Sequence, residues 1–110
     1  MKFGIKKAEK FGWEGVKGWS VRIEDFLSAS YLEVETEIPL RKNTKNDRVY
    51  FVIEGEVSFT VNGKKNHVNE KEAIFIPKNT KYSYKPKEKV RMVEANVPPF
   101  DKESEIVITN

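Results

Sequence analysis

The sequence predicts an all-β sandwich or barrel. Three observations carry that prediction. Short apolar segments alternate with polar residues at period two, the repeat of a strand with one buried face. Glycine, proline and an Asn-Gly pair cut the 110-residue chain into pieces of strand length. No segment sustains the periodicity of an amphipathic helix.

The first alternating stretch is "GWSVRIEDF" (18–26), whose β-branched and aromatic residues favour a strand over a helical turn in "VRIEDFLSA". "SYLEVETEI" (30–38) puts Leu32, Val34, Thr36 and Ile38 on one face and Tyr31, Glu33, Glu35 and Glu37 on the other, and Pro39 is expected to end it. "RKNTKND" (41–47) reads as a polar loop. "RVYFVI" (48–53) is a continuous apolar run and reads as a central strand. "EG" (54–55) turns the chain, "EVSFTV" (56–61) alternates again, and "NG" (62–63) is a hairpin turn into "KNHV" (65–68). "AIFI" (73–76) reads as a buried strand stopped by Pro77. "KYSYK" (81–85) and "VRMVEANV" (90–97) are the next strands, and the extended tail after them holds one more at 105–109. No boundary, repeat or low-complexity tract appears, so one domain over 1–110 is expected.

Composition excludes several functions. There is no cysteine, hence no disulfide framework, thiolate metal site or cysteine nucleophile. Twenty basic and 17 acidic residues are spread along the chain, and a net charge of +3 gives little drive toward nucleic acid. "KNTKYSYKPKEKVR" (78–91) mixes five lysines with two tyrosines, but Lys outward and Tyr inward is also the pattern of a solvated strand pair. The opening "MKFGIKKAEKFGWEG" lacks the apolar core of a signal peptide, and no apolar run has the length of a membrane span. A cytoplasmic protein with no membrane partner is expected.

The stretch "RVYFVIEGEVSFTVNGKKNHVNEKEAIFIPKNTKYSYK" (48–85) resembles the heart of the cupin family. A strand ends at Glu-Gly-Glu, a hairpin follows, and a turn leads into a hydrophobic-Pro-x-Asn segment. Gly55 looks like the closing glycine of the first family motif, Lys71 and Glu72 stand where a Gly-Asp turn usually lies, and Pro77 and Asn79 match the second motif's Pro and Gly. "VPPFD" (97–101) is similar to the tails of small cupins, so the resemblance spans about residues 30–101. It implies a jelly-roll barrel and a homodimer paired through a sheet face.

The resemblance also implies a metal held by two His and one Glu of the first motif and one His of the second. Those positions fall on Arg41, Asn43, Arg48 and Tyr82, or on Lys42 and Thr44 for the first two in a loop register shifted by one. None suits a divalent ion, because guanidinium has no lone pair to give and Arg48 puts a positive charge where the cation would sit. Asp47, beside Arg48, points to the opposite strand face unless a bulge turns it. A cupin with neither metal nor cofactor is expected.

If Arg48 points into the barrel, so do Tyr50 and Val52, and an inward Tyr82 brings Tyr84 with it. The expected ligand-binding set is Arg41, Asn43, Arg48, Tyr50, Tyr82 and Tyr84. Phenols with a planar cation suit a sugar, a nucleotide sugar or an anionic metabolite. The plain structural alternative is that the tyrosines fill the core and Arg48 pairs with Glu94 or Glu35. His67, the only histidine, should face outward because Val68 is the inward neighbour. Trp13 and Trp19 are expected to close the barrel end or to pack in a dimer contact.

Three functions stay open: a small-molecule binding or sensing barrel, a metal-independent sugar isomerase or epimerase, and a structural protein whose barrel is filled by its own side chains. In the second, Tyr82 or Tyr50 is the acid and Glu35 or Glu94 the base. A cavity with an inward Arg48 and ordered phenols favours the first. A buried carboxylate or histidine within hydrogen-bond reach of an inward tyrosine favours the second. A packed barrel favours the third.

Overall fold

A computed structural model describes residue 2 and residues 4–109. The described residues form eleven strands, with no α-helix: β1 (Glu9–Trp13), β2 (Val16–Ile23), β3 (Leu27–Val34), β4 (Ile38–Asn43), β5 (Asp47–Glu54), β6 (Val57–Val61), β7 (Lys64–Val68), β8 (Ala73–Ile76), β9 (Tyr82–Pro86), β10 (Val90–Val97) and β11 (Glu105–Val107). Six of them build one sheet, in the order β1-β2-β3-β10-β5-β8, and five build a second, in the order β11-β4-β9-β6-β7. Every pairing is antiparallel. The expected all-β jelly roll is the fold observed.

Register decides which side chains meet. On the inner face of the six-stranded sheet, Val16, Val34 and Val90 form one cross-strand row, and Leu32, Met92 and Val52 the next. These six are at most 5 % exposed and pack with Val57 and Phe59 of the other sheet into a dry core. Each such side chain contributes about 1.5–3 kcal/mol by leaving water. Toward the other end the rows turn polar: Ser20, Ser30, Glu94 and Tyr50 form one, and Arg22, Ser28, Asn96 and Arg48 the last. One end of the barrel is therefore dry and apolar and the other polar.

The turns follow local physical rules. Asn62 and Gly63 both have positive φ (50° and 79°), as a tight two-residue hairpin requires. Gly55 has φ 97°, and a Cβ there would lie 2.6 Å from the carbonyl oxygen of Lys89, so only glycine fits. Lys71 and Asn79, standing where the family motifs carry glycine, are also left-handed, with φ 66° and 63°.

Three expectations are corrected. The stretch 30–38 is not one strand: β3 ends at Val34, and β4 starts at Ile38 in the other sheet and runs through Pro39 to Asn43, because a register shift between Ile38 and Arg41 bulges it where proline's missing N–H is not needed. The polar loop thereby shrinks to 44–46. β5 lies between β10 and β8, paired on both sides as a central strand should be, while its outward residues Val49, Phe51 and Ile53 are 37–44 % exposed. β8 is an edge strand rather than a buried one, with Phe75 58 % exposed. The hairpin of β1 and β2 was not expected from residue 9 onward, since every residue of β1 is exposed and carries no period.

Candidate functional site

Arg48 is the centre of the polar end. Strand alternation turns it inward between Asp47 and Val49, which are exposed, and leaves it 4 % exposed. Its Nη2 donates to Glu105 Oε2 at 3.0 Å and its Nη1 to Glu105 Oε1 at 3.4 Å, a bidentate pair. Its Nε donates to Asn96 Oδ1 and lies 3.8 Å from Glu94 Oε1. Asn96 in turn donates to Glu94 Oε1 at 2.9 Å, so the amide bridges cation and carboxylate. Nη1 also donates to the hydroxyls of Tyr82 and Tyr50. The Phe100 ring covers the guanidinium at 5.6 Å.

The phenols form one connected layer. The hydroxyls of Tyr50 and Tyr82 are 3.2 Å apart, and Tyr82 donates to Glu105 Oε1 at 3.4 Å. The Tyr50 ring lies 5.0 Å from Phe59 and 5.4 Å from Tyr84, and Tyr84 stacks on Phe59 at 4.7 Å. Burial raises the pKa of Tyr50, Tyr82 and Tyr84 above the ordinary tyrosine value, so all three are neutral donors at physiological pH. Burial alone would lower the pKa of Arg48, but the oxygens of Tyr50, Glu94, Tyr82 and Glu105 raise it instead, and the side chain is a fixed cation.

Above this cluster the barrel is open. A cavity of about 930 Å³ is bounded by Tyr82 and Tyr84 on one side, by Ser20, Ser30 and Glu94 on the other, and by Trp13 at its rim. The small serines of β2 and β3 leave the room. A shallower polar groove of about 370 Å³ lies on the outer face of the five-stranded sheet around Ser58, Thr60 and His67. Among the described residues it holds no buried ionisable cluster.

Of the six residues the sequence singles out, the structure gathers Arg48, Tyr50, Tyr82 and Tyr84. Arg41 lies opposite Tyr82 on β4 and lines the cavity, with its Nε donating to the carbonyl of Pro39 at 3.1 Å. Asn43 is turned into the loop: its Oδ1 accepts the N–H groups of Lys45 and Asn46, and its Nδ2 donates to Glu105 at 3.1 Å. It positions Glu105 and forms no part of the cavity wall. Asp47 faces outward and accepts the N–H of Lys78 at 3.0 Å. His67 is exposed, beside Glu56 and Ser58. Glu35 is an outer-surface residue near Lys89 and is no partner of Arg48. Sequence reasoning missed Glu105, which sits 57 residues from Arg48 in a three-residue strand. The sole cue was that a buried arginine needs a carboxylate.

The family's metal does not fit these donors. Arg48, a cation locked to two carboxylates, fills the place of one ligand, and Arg41, Asn43 and Tyr82 supply no imidazole or carboxylate. Among the described residues no three His, Cys, Asp or Glu side chains group as a metal site.

The family model described as the Cupin domain matches residues 30–95. The chain belongs to the cupin family. Among solved structures it is similar to a variant of Streptomyces PAC13 with uridine, at 19 % identity and TM-score 0.88 over 98 % of this chain and 89 % of that one. Another structure of Pac13, described as a unique nucleoside dehydratase, is 20 % identical with TM-score 0.87, over 98 % of this chain and 90 % of that one. KdgF from a Halomonas species is 14 % identical with TM-score 0.81, over 92 % of this chain and 96 % of that one. At these identities the likeness is one of fold. No curated protein matches the chain.

Proposed function

We propose that this cupin binds a small hydroxylated metabolite, a sugar or a nucleoside, at the polar end of its barrel and without a metal or cofactor. The observation that carries the reading is the open cavity above a buried cluster whose one cation is already matched. Arg48 faces two carboxylates, so its charge is not free to take an anion. The hydroxyls of Tyr50 and Tyr82 are engaged by Arg48, by each other and by Glu105, which leaves the Tyr84 hydroxyl and the aromatic faces to receive a neutral ring. An anionic group on the same ligand belongs at the mouth, where no carboxylate lies within ion-pair distance of Arg41 among the described residues. That a protein of similar fold is described with uridine supports a nucleoside as one probe. The barrel is open at this end, which tells against a protein filled by its own side chains.

Isothermal titration with nucleosides, methyl glycosides and sugar phosphates tests the reading. Binding by the native protein and its loss in the cavity-filling variant Ser30→Leu are expected; no binding across the panel defeats it.

A second reading has its own observation. Tyr82, a neutral phenol, lies 3.4 Å from a carboxylate that is 10 % exposed, and Glu94 stands on the opposite wall. This is the pairing that a metal-independent isomerase or epimerase needs: a carboxylate takes a proton from the carbon beside a carbonyl, the phenol donates to the developing oxyanion, and the enol is then protonated on the opposite face of that carbon, or on the neighbouring carbon, while an enol hydroxyl returns a proton to the phenoxide. Exchange of that carbon-bound hydrogen with deuterated solvent, followed by NMR, is expected in the native protein and not in Tyr82→Phe.

The same proposal includes a homodimer through the outer face of the six-stranded sheet, where Val49, Phe51, Ile53 and Phe75 are exposed on neighbouring strands. It also includes a cytoplasmic location. No described helix is long and apolar enough to cross a membrane.

A further inference from the structure

The wall facing the tyrosines has polar groups that the protein leaves unused. Ser20, Ser30 and Glu94 are direct cross-strand neighbours on β2, β3 and β10, and all three line the cavity. Such neighbours hold their Cβ atoms about 4.5–5.5 Å apart. The next row is spent on structure: Ser28 Oγ accepts the N–H of Phe100 at 2.8 Å, and Asn96 is shared by Arg48 and Glu94. The hydroxyls of Ser20 and Ser30 make no hydrogen bond to the described residues, and Glu94 is engaged through Oε1 alone. Its Oε2 is left as an acceptor on a side chain 14 % exposed to the cavity.

Polar groups lining a cavity take partners from water or from a ligand. This row offers one anionic acceptor flanked by two hydroxyls, each able to donate and accept. Two adjacent hydroxyl groups on a ring match it: both can donate toward the carboxylate while the serines satisfy their lone pairs. An acidic side chain reads ribose hydroxyls in dinucleotide sites by the same chemistry. With one guanidinium against two carboxylates below it, this wall also repels phosphate or carboxylate. We infer that Ser20, Ser30 and Glu94 form a hydroxyl-reading wall that selects a ligand with two neighbouring free hydroxyls, as on a sugar ring or a ribose. The inference rests on the binding reading above and narrows its ligand class.

The test compares matched pairs by titration calorimetry: uridine against 2′,3′-dideoxyuridine, and methyl α-glucopyranoside against its 2,3-dideoxy counterpart. The pair member with both hydroxyls is expected to bind at least about tenfold tighter, the scale of a charge-assisted hydrogen bond. Glu94→Gln, which keeps Arg48 paired with Glu105, is expected to weaken the diol ligand by a similar factor and to close most of the gap within the pair. Ser30→Ala, which removes only a hydroxyl, acts in the same direction to a smaller extent. Equal binding of both members overturns the inference and leaves the binding reading standing. Failure of every compound to bind the native protein overturns both.

Discussion

Arg48 shows how one substitution rewrites a site. The resemblance puts it where a metal ligand would stand, and its guanidinium supplies the positive charge that holds the surrounding acids together. Removing it leaves Glu94 and Glu105 buried without a cation. Arg48→Ala is therefore expected to lose about 3–5 kcal/mol of stability, read as a lower midpoint in urea unfolding. That makes Arg48→Ala a test of folding, and Tyr82→Phe or Glu94→Gln the better tests of binding. The three buried phenols give a pH dependence. In the unfolded chain they ionise near pH 10; burial keeps them protonated to higher pH in the folded protein. The unfolded state thus loses protons first, so their stabilisation is complete below about pH 10 and declines as pH rises further. Urea midpoints measured from pH 8 upward are expected to be level and then to fall, with tyrosinate absorbance of the folded protein appearing later than that of the unfolded. The inward direction of Arg48, Tyr50, Tyr82 and Tyr84 was legible, because alternation along a strand is a local property. Which acids face Arg48 was not. Glu35 and Glu94 looked equivalent in sequence, and only the register of β10 against β5 separates them.

At the scale of elements, strands bounded by strong turn signals were legible almost to the residue, β6 between Gly55 and Asn62-Gly63 and β10 between the Pro86 turn and Pro98, because these signals fix where a strand can start and stop. β4 was misread since proline normally ends a strand, and a bulge that hides its missing N–H leaves no sequence mark. β1 was missed because an edge strand exposed on every residue has no period to read; Phe11 instead lies over Gly18, where a Cβ would come within 2.3 Å of its ring. The turns yield a prediction of opposite signs. Gly55→Ala forces a side chain against the Lys89 carbonyl in a left-handed conformation and is expected to cost more than about 1 kcal/mol. Lys71→Gly relieves a left-handed lysine and is expected to gain about 0.5–1 kcal/mol. Denaturant unfolding of both variants checks the pair.

The whole molecule has a dry end, an open polar end and one apolar outer face. The jelly roll itself was legible from period, turns and motif spacing together. The apolar run of β5 suggested burial on both faces, yet its outer side chains are exposed in the isolated chain. A second copy covering that face reconciles the pattern with the structure, so light scattering is expected to report a dimer and Phe51→Lys a monomer with an intact fold. The central claim is that the barrel's open end is a metal-free site for a hydroxylated ligand. It is tested most directly by recording amide NMR spectra of the ¹⁵N-labelled, chelator-treated protein while uridine and the methyl glycosides are added. Saturable shifts confined to Ser20, Ser28 to Ser30, Arg48 to Tyr50, Tyr82 to Tyr84 and Glu94 to Asn96 are expected. Saturable shifts that gather instead on the outer groove around Ser58 and His67, or spectra unchanged by every compound, would contradict it.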